Sequence, residues 1–169
     1  MDECARPRAE CLIRPLRQED VARIEDIAAA AWAPIYEHLA ELQARALGAV
    51  ARPSSIEQKR EQVRTFAQSR PDGVLVTECD GQVVGFITFS FDREHRMGVI
   101  GNNAMQPDYA GRGLGTAQYR EVLDLFRAQG MLYASVGTGL DESHAPARRA
   151  YERVGFVPVL ASVEYMMKL

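Results

Sequence analysis

The sequence predicts a mixed α/β fold, of the α+β kind, with a central, mostly antiparallel sheet and flanking helices. Three observations predict it. The first third shows helical apolar periodicity, the middle holds two strand-like runs around Asp80-Gly81, and Met105 to Phe126 passes through a glycine turn into an amphipathic helix.

Residues 1–10 read as a flexible tail, and residues 11–169 as one domain. CLIRPL supplies a first strand, after which Val21, Ile24, Ile27, Ala28 and Ala31 mark one face of a helix. Pro34 is expected to interrupt that helix, because proline has no N–H to donate and its ring crowds the preceding turn. A second apolar set, Ile35, Leu39, Leu42 and Ala46, resumes until Gly48. Ser54 with Glu57 is a capping-box signal for a further helix using Ile56, Val63 and Phe66.

VLVTEC, residues 74–79, and VVGFITFSF, residues 83–91, flank Asp80-Gly81, a dipeptide suited to the left-handed residues of a tight hairpin. Met97 to Met105 reads as a strand weakened by Gly98 and Gly101, with Asn102 and Asn103 suggesting a bulge or splay where the sheet opens. A helix from Gly113 to Gln129 follows, then the strand MLYASV and a short helix from about Ala145 to Val154. VPVLASVEYMMKL closes the chain as a final strand pair.

The glycine turn carries the chemistry. Gly111, Gly113 and Gly115 allow positive φ and close approach of a bulky group to the backbone. Behind them Tyr119, Val122, Leu123 and Phe126 form one apolar stripe, so the turn is a helix N-terminus. Its first N–H groups have no intrahelical partner and lie at the positive end of the helix dipole, which suits an anion. Arg112 adds a fixed charge. The spacing is neither the dinucleotide G-x-G-x-x-G nor a P-loop, since no Gly-Lys-Ser/Thr follows, and a pyrophosphate remains a good guest. Taken alone, the turn also fits a tight strand-to-helix connection.

Composition narrows the classes. With 169 residues, 47% hydrophobic and 25% charged, the chain is long enough to bury a sizeable core without metal or disulfide. A net charge of −3 argues against nucleic acid held by electrostatics, leaving only a local basic patch such as Arg148 and Arg149. Cys4, Cys11 and Cys79 form no C-x-x-C pair and read as reduced thiols, Cys79 as a small buried hydrophobe. His38, His95 and His144 are scattered, so no metal is expected. No apolar leader or membrane-spanning run is visible, which makes the cytoplasm the expected address.

IGNNAMQPDYAGRGLGTA, with HAPARRAYERVGF after it, resembles the GNAT superfamily of N-acetyltransferases. The first segment is similar to that family's central strand and acetyl-CoA pyrophosphate loop, the second to its last helix and following Gly-Phe. The resemblance implies two splayed parallel strands, with pantetheine pairing along Asn103, Ala104 and Met105. It also implies a backbone N–H near Ala104 or Met105 on the thioester carbonyl, and a diphosphate held by the backbone N–H groups of Arg112, Gly113, Leu114, Gly115 and Thr116 beside Gly111. His144 and Ala147 of the second segment would border the cofactor. Ala110 stands where relatives carry Arg or Gln, and His144 where Asn is common.

By the same resemblance Tyr151 aligns with the tyrosine that protonates the departing thiolate. By spacing alone, Ala147, Ala150, Tyr151 and Val154 are a core-facing stripe, and both roles can hold for one ring. An acceptor amine must lose a proton before attack, yet MGVIGNNAM contains no carboxylate. Asp92, Glu94, His95, Glu37 and His38 are the nearby titratable residues, and the base stays unassigned. Trp32 and Tyr36 would wall the acceptor opening. The implied activity is acetyl transfer from acetyl-CoA to a primary amine of a small molecule or peptide, by direct attack in a ternary complex. The alternatives are an acyl-CoA-binding sensor and a nucleotide-binding module. No membrane partner is expected, and the resemblance leaves a homodimer open.

Overall fold

The computed structural model describes residues 10–169, so all but Glu10 of the expected N-terminal tail, and Cys4 with it, lie outside the described residues. The order is β1 (Cys11–Pro15), α1 (Val21–Leu47), α2 (Ile56–Ser69), β2 (Val74–Cys79), β3 (Gln82–Asp92), β4 (Met97–Met105), α3 (Leu114–Ala128), β5 (Tyr133–Val136) and α4 (Ala145–Arg153). The five strands form one sheet in the order β1-β2-β3-β4-β5, antiparallel throughout except for the parallel pair β4-β5. No helix among the described residues is long and apolar enough to cross a membrane.

Side-chain alternation along the strands divides the core into two layers. Val74, Val76, Phe86 and Ala104 face α1 and α2, where they meet Ile24, Ile27, Ala28 and Val63. Leu75, Ile87, Phe89 and Ile100 face the other way, onto Tyr119, Val122 and Phe126 of α3 and Tyr151 of α4. Phe86, Ile24 and Ile87 are wholly buried, each contributing about 1.5–3 kcal/mol over an exposed position. Gly98 belongs to this packing: a Cβ there would collide with the ring of Phe126.

The β2–β3 hairpin turns on Asp80 (φ 50°) and Gly81 (φ 78°), as the dipeptide predicts. At one edge of the sheet, Arg14 of β1 binds Asp20 at 2.6 Å and Glu78 of β2 at 2.6 Å, joining the edge strand to the start of α1.

Four expectations are corrected. The first helix is continuous from Val21 to Leu47 and contains Pro34. Residues 28–31 are all alanine, and extending a formed helix past one lost hydrogen bond costs less than nucleating a second one. The helix ends at Gly48 (φ 72°), whose N–H donates to Ala44. The cap of α2 is Ser55, not Ser54, and its hydroxyl accepts from Gln58 N–H. Cys11 and Cys79 are not free thiols but a disulfide, because the β1–β2 register sets them opposite each other with Cα atoms 4.1 Å apart. Finally, residues 157–169 form no strand. Among the described residues, their one ion pair is exposed, Glu164 to Arg52, and no backbone hydrogen bond replaces the expected pairing.

Candidate active site

The site begins with an irregularity in β4. On the β3 side the register runs Ile87 to Asn103 and then Phe89 to Ile100, so Gly101 and Asn102 together oppose Thr88 in a bulge. On the β5 side pairing covers only Met97 to Ile100, and among the described residues no strand lies beside the outer edge of β4 from Gly101 to Met105. The bulge and splay expected at Asn102 and Asn103 are both present.

Beyond Met105 the chain makes the glycine turn. Gly111 (φ 75°) and Gly113 (φ 82°) are left-handed, and Gly113 caps α3 through its carbonyl, which accepts from Ala117 N–H. The N–H groups of Leu114, Gly115 and Thr116 precede that first helical bond and point out of the helix end. A cavity of about 420 Å³ opens there. It is lined by Asn103, Ala104 and Met105 of β4, by Gly111, Gly113, Leu114, Gly115 and Thr116, and by Pro146, Ala147, Arg149, Ala150 and Arg153 around α4.

Two predicted residues sit otherwise. Arg112 folds back to donate to the Asp108 carbonyl at 2.9 Å and lies over the ring of Tyr109, so its guanidinium does not line the cavity. His144 is held by Asp141, Nδ1 to Oδ2 at 2.7 Å, in the turn that leads into α4. Burial acts to raise the Asp141 carboxyl, but hydrogen bonds from Ser143 and His144 outweigh it and hold its pKa below the usual carboxylate value.

Tyr151 is buried and reaches the site through Asn103. Tyr119 Oη donates to Asn103 Oδ1 at 2.6 Å, and Asn103 Nδ2 donates to Tyr151 Oη at 3.4 Å. The two tyrosine rings meet edge to face at 5.1 Å. Burial, with Tyr151 beside it, pushes the Tyr119 phenol well above its ordinary value, so Tyr119 stays protonated and keeps donating to Asn103. Tyr151 therefore receives a hydrogen bond from this chain without spending its own proton in it.

Asn102, the neighbour of Asn103, faces the opposite layer. Lys59 Nζ donates to Asn102 Oδ1 at 3.1 Å and to Gln62 Oε1 at 2.6 Å, and lies 4.4 Å from the centre of the Trp32 ring. Burial lowers the pKa of this lysine, and no carboxylate among the described residues pairs with it. Lys59 and Tyr36 line a second cavity of about 350 Å³ with Arg52, Ser54, Ser55 and Gln58. Burial raises the Tyr36 phenol. Trp32 packs at the margin of the α1–α2 core.

The remaining titratable residues stay apart. His95 and Asp92 bind each other at 2.8 Å in the β3–β4 turn, at the far end of β4 from Met105, about 25 Å along an extended strand. Glu37 is exposed on α1. Sequence reasoning missed Tyr119, Lys59, Arg149 and Arg153 as site residues. The Tyr119 stripe reads as core, and the signal for the arginines was their i, i+4 spacing in HAPARRAYERVGF.

Comparison with known proteins meets this geometry. A family model described as the acetyltransferase (GNAT) family matches residues 32–156. Mycothiol acetyltransferase of Streptomyces coelicolor is 34% identical over 87 residues, which are 52% of this chain and 28% of that enzyme's length. A GNAT-family acetyltransferase from Brucella melitensis, solved in complex with acetyl-CoA, is 25% identical, with a TM-score of 0.62 over 88% of this chain and 84% of the other. The ribosomal-protein-S18-alanine N-acetyltransferase of Escherichia coli shares the fold at 20% identity, with a TM-score of 0.62 over 89% of this chain and 80% of its own.

Proposed function

Because the chain belongs to the GNAT family of acetyltransferases, we propose that it moves an acetyl group from acetyl-CoA to a primary amine by direct attack. The observation that carries the reading is the unpaired edge of β4 from Gly101 to Met105, lying beside a glycine-capped helix N-terminus in one cavity. Acetyl-CoA fits these features, since pantetheine can pair with a free strand edge and a diphosphate can accept from free helix N–H groups. The thioester supplies an activated acyl carbon and a leaving group that needs only a proton.

The protein's own groups then divide the work. Leu114, Gly115 and Thr116 N–H hold the diphosphate, with Arg149 and Arg153 adding positive charge from α4. An N–H at Ala104 or Met105 donates to the carbonyl oxygen and strengthens as negative charge develops there. Tyr151 donates its phenolic proton to the sulfur as the C–S bond breaks, so that the thiol leaves neutral. Asn103 is a positioning residue, held by Tyr119 and aimed at Tyr151.

The acceptor, a small-molecule or peptide amine, approaches from the α1–α2 layer, where Trp32, Tyr36 and Lys59 lie on the face opposite Asn103. Thiol release from acetyl-CoA across an amine panel tests the activity. Tyr151→Phe should lower kcat by about 10²- to 10⁴-fold while the Kd for acetyl-CoA holds; an unchanged kcat removes Tyr151 as the acid.

The absence of a carboxylate on β4 favours one second reading, an acyl-CoA-binding sensor with little transfer. Thermal stabilisation by acetyl-CoA with no thiol release from any amine would select it.

A further inference from the structure

The basic side chains between Gly48 and Ser69 are Arg52, Lys59, Arg60 and Arg64. The three arginines are each paired with an acid, Arg52 with Glu164, Arg60 with Asp26, and Arg64 with Glu25 and Glu61. Lys59 is different. Among the described residues its ammonium meets only neutral oxygens, Asn102 Oδ1 at 3.1 Å and Gln62 Oε1 at 2.6 Å. An ammonium has three N–H donors, so one is left over. The Trp32 ring, 4.4 Å away, favours the charge but does not replace a hydrogen-bond acceptor.

The cavity of about 350 Å³ onto which Lys59 opens is polar, with Tyr36, Ser54, Ser55, Gln58 and Gln62 in its wall, and no acidic side chain lines it. The acids closest in sequence are engaged elsewhere: Glu57 is exposed, and Glu61 binds Arg64 and Thr65. Burial already acts against the lysine's charge and lowers its pKa. A half-buried cation held by neutral groups gains from a counter-charge that the chain itself does not supply.

We propose that the acceptor amine carries a carboxylate at its other end, which enters this cavity and pairs with Lys59. The inference rests on the acetyl-transfer reading above and names its substrate class. A fixed positive charge here orients the acceptor, drawing the acid inward and repelling an ammonium, so a diamine or polyamine is disfavoured. The thioester carbonyl in that reading lies by Ala104 or Met105, two or three residues along β4 from Asn102, or about 7–10 Å. An ω-amino acid or a dipeptide spans that separation; an α-amino acid, whose amine and carboxylate share one carbon, does not.

Acceptor pairs that differ only in this group test it, with thiol release from acetyl-CoA as the signal. The probes are ω-amino acids from glycine to aminohexanoate beside their amides, dipeptides beside their C-terminal amides, and diamines of matching length. The expected result is an acid whose kcat/KM exceeds that of its amide by about 10- to 100-fold, the worth of a charge-assisted hydrogen bond. In Lys59→Met that gap should close to about threefold or less. A parent protein that uses amides and diamines as well as acids overturns the proposal without any variant. An acid preference that survives Lys59→Met overturns it by moving the carboxylate away from this lysine. Trp32 fluorescence, titrated with the same acids and amides, reads binding apart from transfer. With no thiol release from any amine, acid-selective quenching that Lys59→Met abolishes supports the carboxylate site and sinks only the transfer reading; no acid-selective quenching sinks both.

Discussion

Replacing Gly113 or Gly115 by alanine separates two reasons for which a loop keeps glycine. At Gly113, φ is 82° and no atom lies within 4 Å of where a Cβ would stand, so the added methyl meets only backbone strain, about 1–2 kcal/mol. At Gly115 the φ is ordinary, and the nearest neighbour of a Cβ is Met105 Cγ at 3.9 Å, a normal contact. The free protein therefore loses nothing there and gains up to about 1 kcal/mol of helix propensity. With acetyl-CoA bound against the helix end, the same methyl stands where the diphosphate must approach. Overpacking of that kind costs about 1–3 kcal/mol, roughly 5- to 150-fold in Kd. Thermal melts and calorimetric titration with acetyl-CoA read the two effects separately. Gly115→Ala should melt at or above the parent temperature and bind at least fivefold more weakly, whereas Gly113→Ala should lower the melting temperature. Full affinity in a stable Gly115→Ala protein would refute the placement of the diphosphate at this helix end.

Lys59→Met should raise KM for the acceptor by about 10-fold or more, the worth of a charge-assisted hydrogen bond, and leave the Kd for acetyl-CoA unchanged; equal change in both, or in neither, would remove Lys59 from the acceptor side. Trp32, the chain's one tryptophan, gives the same substitution a fluorescence readout, because the ammonium stands over its ring. The Asp20 carboxyl sets an acid limit on stability. Burial acts to raise its pKa, but hydrogen bonds from the Arg14 side chain and the Arg17 N–H outweigh that and hold it below 3.8. Its stabilisation is therefore complete above that value and is lost as pH falls through the depressed one. Asp20→Ala should cost about 2–3 kcal/mol at neutral pH and weaken the acid dependence of the melting temperature; an unaltered acid limb would assign it to other carboxylates.

Features fixed by a few neighbouring residues could be read from the sequence. Asp80-Gly81 located the β2–β3 hairpin, and Met97 to Met105 and Val74 to Cys79 are strands over the expected residues. What escaped depends on register or on the partner of a side-chain tip. Cys11 and Cys79 are 68 positions apart and meet only because β1 and β2 pair in one particular frame. Periodicity identified Tyr119 as a core residue, which its ring is, but says nothing of the hydroxyl that holds Asn103. Lys59 reaches Asn102 through the packing of α2 on the sheet, which no local pattern encodes.

The bulge opposite Thr88 makes β4 a segment in which chain length, more than residue identity, is constrained. Ile100 and Asn103 face the same layer although an odd number of steps separates them, because the extra residue shifts the alternation by one. Removing a single residue at Gly101 or Asn102 would restore even pairing and turn Asn103 toward α2 and Ala104 toward α4. Donor-side and acceptor-side groups would then change places together, at little cost in strand pairing. Insertions that surface loops of this chain absorb should be lethal to activity here, so a survey of single-residue insertions and deletions would find its sharpest boundary inside this one strand.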